Sequence, residues 1–398
     1  MLRPGTFALT ALLAALSAIG PLTTDMYLPS LPDIARLLGA STAQVQLTIS
    51  SYLIGFAVGQ IFYGPISDRH GRKPVLLGAV ALYCAASLAC ALSSSIAMLM
   101  AARFAQALGG SGGIVLARAV VRDLYSGHRA GRELSVIGAV MALAPVLAPV
   151  AGAALQTAFG WRSVFFTLAA TAVAGAAVVA TLLPETLAAR AEPISASSIA
   201  RSYAIVGRNP AYLAYLGLAA ASYAGLFAWI SGAAFVLQDL YGLTPLAFGL
   251  IFAVGSIGYG LGSLLSARLT HRLGLDGTLG LGGLANAAGG LAMVAAVAFG
   301  LRSAASLVLP MAVYMAGLGM VLPQSIAGAL TPFPERAGAA SSLLGFIQQS
   351  VAALSGAVVG ALLGTSAWPL AVAIAITGCA TLILWIATRA VRARIVKH

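Results

Sequence analysis

The sequence predicts an all-α integral membrane protein with twelve transmembrane helices in two pseudo-symmetric six-helix halves. Of its 398 residues, 60% are hydrophobic and only 8% are charged, whereas soluble globular domains carry about 25% charged residues. Apolar runs of about 20 residues, the length that crosses a bilayer as a helix, recur along the chain. The runs must be helices because lipid excludes open sheet edges.

Proline, glycine and charged clusters mark the ends of the apolar runs. The first run continues beyond the length of a signal peptide, and many more runs follow it, which indicates a first transmembrane helix. The predicted spans are 7–30, 43–66, 74–93, 96–121, 133–157, 162–183, 211–237, 246–268, 277–300, 305–329, 338–363 and 367–388.

The basic residues predict the orientation of the chain. A net charge of +12 raises the question of nucleic acid binding, but the Lys and Arg residues are scattered between spans instead of forming one face. If both termini are cytoplasmic, 17 of the 22 lie in cytoplasmic segments, two lie inside the fourth span and three lie in outer loops. Such a bias favours this orientation. The three cysteines lie inside apolar runs, so no disulfide or metal site is predicted.

A polar stretch and a sequence repeat divide the chain into halves. The predicted domains are an N-terminal six-helix half (1–183), a cytoplasmic linker (184–210) and a C-terminal six-helix half (211–398). At an offset of 207 residues, RAGRELSVIG (129–138) matches RAGAASSLLG (336–345), and Trp161 matches Trp368. Duplicated halves around a central cavity are typical of secondary transporters.

The loop between the second and third spans reads GQIFYGPISDRHGRKPVLLG, residues 59–78. A positive-inside loop explains its basic residues but not an Asp framed by glycines. The loop resembles the signature loop of the major facilitator superfamily, and the matching residues are Gly64, Asp68, Arg69, Gly71, Arg72 and Lys73. The resemblance implies that superfamily's fold and a conformational lock, in which Asp68 faces the N-terminus of the eleventh helix and Arg72 pairs with Asp123. The second-half counterpart (262–274) contains no Asp, so the lock is predicted to be asymmetric.

The fourth and fifth spans extend this resemblance. Residues 103–125 resemble the fourth-helix motif of the superfamily through Arg103, Gln106 and Gly110. An Arg inside a span costs several kcal/mol unless it is paired or hydrated, so Arg103 faces the bundle interior or, alternatively, snorkels to the outer interface. In the fifth span, the helix kinks and close packing at Pro145, Pro149 and Gly152 resemble the antiporter motif of proton-coupled exporters. Here alanine replaces the usual glycine before each proline, and kinked helices also occur in symporters.

The first span contains an acid at its outer end. Residues 23–34, TTDMYLPSLPDI, resemble the first helix of the 12-span drug:proton antiporters, within them the Bcr/CflA (bicyclomycin/chloramphenicol resistance) group. Asp25 is the predicted proton-coupling acid, acting with Arg103. Counted from Phe7, Asp25 lies about 27 Å along a straight helix, which favours an interfacial position. A helix that continues through Pro29 and Pro32 would instead return it to the cavity.

The resemblance implies a proton-coupled multidrug efflux transporter that exports amphiphilic antibiotics such as bicyclomycin or phenicols. It implies a monomer in the bacterial inner membrane. The sequence contains no phosphate-binding loop, so an ATPase is not predicted. It also contains no cluster of His, Cys and carboxylate residues, so no enzyme, cofactor or metal site is predicted. The alternatives are a carrier or exporter of a specific metabolite, such as an amino acid or peptide, and a membrane sensor. The candidate cavity residues, for each of which packing is the alternative, are Met26, Tyr27, Tyr52, Gln106, Met141, Tyr223, Phe227, Tyr314, Phe346 and Gln349.

Overall fold

The computed structural model describes residues 6–125, 127–187 and 196–393, and every regular element in these ranges is helical. The α-helices, in chain order, are α1 Phe7–Asp25, α2 Leu31–Leu37, α3 Thr42–His70, α4 Arg72–Ala91, α5 Ile96–Leu124, α6 Gly127–Phe159, α7 Arg162–Leu182, α8 Ala196–Gly207, α9 Pro210–Phe235, α10 Pro245–Ala298, α11 Ala304–Leu330, α12 Ala337–Leu362, α13 Trp368–Ala387 and α14 Arg389–Arg392.

The predicted twelve-span fold class is confirmed. Eleven helices in the described ranges are long and apolar enough to cross a membrane. The longest of them, α10, has 54 residues and contains one non-helical residue, Gly274, with φ 68° and ψ 179°. A backbone break at this point divides α10 into the eighth and ninth spans, 246–268 and 277–300, which the sequence predicts separately.

The first span does not end at its acid. After α1 ends at Asp25, a 3₁₀ turn (Leu28–Ser30) leads into α2, so a helical stretch of 31 residues runs from Phe7 to Leu37. Pro29 and Pro32 occupy first-turn positions of these two short elements, where a missing N–H costs no helical hydrogen bond. Asp25 therefore lies within a longer helical segment, which is what its predicted position in the cavity, and not at the interface, requires.

The chain forms two compact units, unit 1 (Met1–Ile194) and unit 2 (Ser195–His398). In unit 1, α5 packs against α3, α4 and α1, and α6 runs along α1. In unit 2, α10 packs against α11 and α13, and α9 packs against α11, α12 and α13. Serine, threonine or asparagine side chains cap α3, α5, α9, α10 and α11 by accepting backbone N–H groups of the first turn.

One helix lies where the sequence predicts only a polar linker. Helix α8 falls within 184–210 and packs against α12 and α9. Its Val206 is fully buried and belongs to a hydrophobic cluster with Tyr212, Leu279 and Leu344. The apolar anchor explains why this part of the linker is built into unit 2.

Candidate functional site

Arg103 lies fully buried at the centre of unit 1, on the second turn of α5. Its guanidinium carbon lies 4.6 Å from the centroid of the Tyr27 ring and 4.2 Å from that of Tyr52. A desolvated cation–π contact of this kind contributes about 2 kcal/mol. The Phe165 ring lies 5.9 Å away. Aromatic faces, supplied by α3, α7 and the turn after α1, therefore surround the charge.

The hydrogen bonds of Arg103 satisfy only part of the guanidinium. Its Nη1 donates to Gln106 Oε1 at 2.7 Å and to the Thr23 carbonyl oxygen at 3.4 Å. Its Nε and Nη2 atoms have no hydrogen-bond partner in the part of the chain that the structure describes. Buried, unpaired N–H groups are costly. The arrangement leaves three N–H donors, one on Nε and two on Nη2, without an acceptor among the described residues.

Gln106 holds this arrangement in place. Its amide oxygen accepts from Arg103, and its Nε2 donates to Ser87 Oγ at 2.8 Å on α4. Gln106 is fully buried. Both ends of its amide are engaged inside unit 1, so in this structure it orients Arg103.

Asp25 is 5% exposed and ends α1. Among the described residues, no Lys, Arg or His nitrogen lies within 4 Å of its carboxylate, so Arg103 and Asp25 form no ion pair. The two Tyr rings occupy the space around the guanidinium instead. Asp25 is the last residue of α1, where the helix dipole disfavours a negative charge. Such an environment suits a carboxyl that exchanges a proton.

Helix α6 contacts the chain directly beside this acid. A Cβ atom on Gly152 would lie 2.7 Å from both Cα and the carbonyl carbon of Met26, which is too close for any side chain. Pro145 and Pro149 lie inside α6 and each remove a helical hydrogen bond. The predicted motif thus brings the α6 backbone against the residue that follows Asp25.

The loop of the predicted lock is held by Arg72, which is 6% exposed. Its Nε donates to Asp123 Oδ2 at 2.8 Å, and its Nη1 pairs with Asp68 and donates to Ser67 Oγ at 2.7 Å. Arg69 is exposed and Lys73 half-buried. Gly64 has open space where a Cβ would lie. The contact of Asp68 with the eleventh helix would join the two units and stays a prediction.

Sequence reasoning missed Glu185, which follows α7 and binds the same loop. Its carboxylate accepts the backbone N–H groups of Arg72 at 2.9 Å and Lys73 at 3.1 Å, together with those of Thr186 and Leu187. Gly71 has φ 102°, and a Cβ there would lie 2.6 Å from Glu185 Oε2. The signature glycine therefore provides both a backbone conformation and room for a carboxylate 114 residues away.

The structure places the remaining candidate cavity residues, most of them in unit 2, in different surroundings. Tyr223 and Phe227 lie on one face of α9, with ring centroids 5.0 Å apart. Tyr314 is fully buried, and its hydroxyl donates to the Ser222 carbonyl oxygen at 3.0 Å. This contact makes Tyr314 a packing residue in this structure. The remaining candidates are half-buried: Phe346 and Gln349 in unit 2, and Met141 in unit 1.

Unit 2 also contains a buried ion pair that the sequence analysis did not identify. Arg392 is 1% exposed, and its Nη2 lies 2.7 Å from Asp276 Oδ1. Its Nη2 also donates to the Trp385 carbonyl oxygen at 2.8 Å, and Trp385 Nε1 donates to the Asp276 carbonyl oxygen at 3.0 Å. Arg268 and Arg272 form no ion pair in the described ranges. Asp276 therefore pairs with Arg392, which lies in α14.

Comparisons with known proteins agree with the fold. Residues 13–357 match the family model of the Major Facilitator Superfamily. An uncharacterized MFS-type transporter of Bacillus subtilis, YdgK, is 35% identical over 90% of this chain and 88% of its own. The bicyclomycin resistance protein homolog of Haemophilus influenzae is 30% identical over 92% of each chain. The chloramphenicol resistance protein of Pseudomonas aeruginosa is 29% identical over 92% of this chain and 87% of its own.

Solved structures show the same fold at low identity. The D-xylose-proton symporter matches with a TM-score of 0.76, covering 96% of each chain at 15% identity. A bacterial homolog of the human lysosomal transporter Spinster, inward-facing and occupied, has a TM-score of 0.72 at 18% identity, over 100% of this chain and 98% of its own. The chain therefore belongs to the Major Facilitator Superfamily and is a multi-pass membrane transporter, not an enzyme.

Proposed function

We propose that this protein is a proton-driven drug exporter that works by alternating access and carries amphiphilic antibiotics such as bicyclomycin or phenicols. The observation that carries the proposal is the buried carboxyl of Asp25, which has no cationic partner among the described residues and lies next to the contact between α6 and Met26. The names of the relatives and the first-helix resemblance to the Bcr/CflA group support the choice of cargo.

The chemistry follows from the surroundings of the two charged groups. Asp25 exchanges a proton with water on alternating sides of the membrane, and Arg103 offers the N–H groups of its Nε and Nη2 atoms to an acceptor on the substrate. A neutral substrate exchanged for a proton moves one charge inward, which releases about 2.3 kcal/mol per 100 mV of membrane potential. Both steps belong to unit 1.

The further parts of the proposal concern the protein in its membrane. We place the chain in the bacterial inner membrane as a monomer with both termini in the cytoplasm. In this orientation, 17 of the 22 Lys and Arg residues lie in cytoplasmic segments and only three in outer loops, which supports it. The conformational lock at Gly64, Asp68, Arg69, Arg72, Lys73 and Asp123 then closes the cytoplasmic side.

Transport by purified protein in liposomes tests the proposal. With a pH gradient imposed, wild type is expected to move radiolabelled chloramphenicol against its concentration gradient, and Asp25→Asn is expected to lose this gradient-driven movement. Asp33→Asn is the matched control, because Asp33 is an acid of the same helical stretch that pairs with Arg36. Undiminished movement by Asp25→Asn would refute the proton site. A panel that adds amino acids and peptides distinguishes a drug exporter from a metabolite carrier.

A further inference from the structure

The polar groups next to Arg103 are engaged with other partners. The Tyr27 hydroxyl shares a hydrogen bond of 2.7 Å with Thr48 Oγ1, and the Tyr52 hydroxyl donates to the Gly20 carbonyl oxygen at 3.3 Å. The Nε and Nη2 atoms of Arg103, in contrast, have no hydrogen-bond partner in the described ranges, although the residue is fully buried. What this buried position lacks is therefore a hydrogen-bond acceptor.

The aromatic rings around Arg103 already hold a cation. The guanidinium carbon lies 4.6 Å from the centroid of Tyr27, 4.2 Å from that of Tyr52 and 5.9 Å from that of Phe165. The faces of such rings are also the surfaces on which proteins bind ligand cations, including quaternary ammonium groups. Because Arg103 occupies these faces, they are not available to a positively charged drug.

The buried charges of unit 1 also disfavour a cation. Apart from Arg72 in the loop, Asp25 and Arg103 are the buried charged side chains of unit 1 in the described ranges. An ionised Asp25 balances Arg103, and a protonated Asp25 leaves Arg103 unbalanced. A bound cation adds an uncompensated buried charge in either state, which is costly. A neutral molecule leaves the balance unchanged in both states.

We propose that Arg103 selects the cargo of this exporter by charge and by hydrogen bonding. The cargo is an uncharged amphiphile that carries a strong acceptor, such as a carbonyl, nitro, sulfonyl or phosphoryl oxygen, and lipophilic cations are rejected. This inference rests on the proposed function, since it names the substrate class of the same site. The acceptor oxygen bonds to the N–H groups of Nε and Nη2, and a guanidinium binds oxygen acceptors through such pairs of donors.

Two aryl phosphorus compounds of similar shape test the inference. Tetraphenylphosphonium is a cation without an acceptor, whereas triphenylphosphine oxide is neutral and carries one phosphoryl oxygen. Each compound competes with radiolabelled chloramphenicol for the purified full-length protein in detergent. Wild type is expected to bind triphenylphosphine oxide at least about tenfold more tightly than tetraphenylphosphonium, because like charges brought together in a binding site repel each other strongly.

Substitutions of Arg103 separate its charge from its hydrogen bonds. Arg103→Gln removes the charge and frees the aromatic faces, so it is expected to bind tetraphenylphosphonium at least about tenfold more tightly than wild type does. Arg103→Lys keeps the charge and loses the planar set of donors, so it is expected to reject the cation and to bind triphenylphosphine oxide more weakly.

Arg162→Gln is the matched control. The Arg162 guanidinium carbon also lies over an aromatic ring of unit 1, 4.3 Å from the centroid of Trp161, but the side chain is exposed. The variant loses one Arg and one cation–π contact, as Arg103→Gln does, without changing the surroundings of Arg103. It is expected to prefer triphenylphosphine oxide as strongly as wild type does.

The outcomes separate this inference from the proposed function. Equal affinity of wild type for the two compounds would overturn the inference, as would an Arg103→Gln variant that keeps the wild-type preference. If Arg103→Gln does not fold, wild type and Arg103→Lys decide, and binding of tetraphenylphosphonium by either as tightly as triphenylphosphine oxide contradicts the assignment. Wild type that shows the preference but moves no chloramphenicol along a pH gradient contradicts the proposed function and supports the selectivity. Wild type that does not bind chloramphenicol contradicts both.

Discussion

The contact between α6 and the chain beside Asp25 is tested by replacing Gly152 with Ala. The Cβ atom of the new residue would lie 2.7 Å from the Cα and carbonyl carbon of Met26. Carbon atoms in ordinary contact are about 3.5–4.0 Å apart. Because the obstacle is backbone and not the tip of a flexible side chain, α6 and α1 must separate by about 1 Å.

The magnitude follows from two opposing contributions. Overpacking of this kind costs about 1–3 kcal/mol. Replacing a helical glycine with alanine gains up to about 1 kcal/mol through helix propensity. Gly138 provides the matched control, because it lies in the same helix and has no atom within 4 Å of its Cβ position. The difference between the two variants therefore isolates the collision, and we expect about 1–3 kcal/mol.

Thermal unfolding in detergent and gradient-driven chloramphenicol transport are the two assays. Gly138→Ala is expected to be as stable as wild type or slightly more stable and to transport normally. Gly152→Ala is expected to unfold several degrees lower and to transport more slowly. Equal unfolding temperatures and equal transport for the two variants would refute the close approach of α6 to Met26, and with it the structural account of the antiporter motif.

Three further interactions are tested by substitution. Burial raises the pKa of Glu185, but hydrogen bonds from four backbone N–H groups outweigh this effect, so its pKa lies below the ordinary 4.5. The resulting stabilisation is complete above pH 4.5 and is lost as the pH falls through the lowered pKa, so the stability advantage of wild type over Glu185→Gln should disappear in acid. Arg392→Met should lower the free energy of unfolding by about 2 kcal/mol, measured by thermal unfolding. This is less than the loss for a fully buried ion pair, because the Asp276 side chain is 38% exposed, and Asp276→Asn should lower the free energy of unfolding by less. Tyr52→Leu should lower the stability of the protein by about 2 kcal/mol and slow chloramphenicol transport. Tyr52→Phe keeps the π face and loses only the hydrogen bond to the Gly20 carbonyl oxygen, so its effects should be smaller.

The helices were predictable because lipid imposes one requirement on every span. A run must be about 20 residues long and apolar, and both properties are visible in a single sequence. Even the division between the eighth and ninth spans was predicted, since the helix breaks at Gly274, inside the predicted gap between residues 268 and 277. Helix α8 was missed because it is not a long apolar run: it lies in a polar segment, and its buried apolar residue is Val206.

The partners of the charged groups were less predictable, because they depend on contacts between distant parts of the chain. Asp25 and Arg103 are predicted at similar depths, near the outer ends of their spans, which suggested that their side chains are in contact. The structure instead surrounds Arg103 with Tyr27 and Tyr52, because the negative faces of aromatic rings also attract a guanidinium. Nothing in the spacing of Thr10 and Glu133, 123 residues apart, indicates their hydrogen bond.

The two units make one equivalent contact with opposite charges. Glu185 and Arg392 are 207 residues apart, the same offset that relates Trp161 to Trp368. Each follows the last span of its unit and binds the second residue after a glycine of positive φ, Gly71 or Gly274. In unit 1 a carboxylate accepts a backbone N–H of that residue, Lys73, whereas in unit 2 a guanidinium pairs with a carboxylate, Asp276.

A contact at this position links the last helix of a half to the start of its third span. Either sign of charge achieves the link, provided that the loop presents the opposite partner, so the position is retained while the residue type is not. A signature based on residue identity therefore finds the loop of unit 1 and overlooks that of unit 2, where the acid Asp276 lies beyond the expected stretch 262–274. Comparing contacts instead of residues recovers the duplication at these loops, where the sequence repeat is faint.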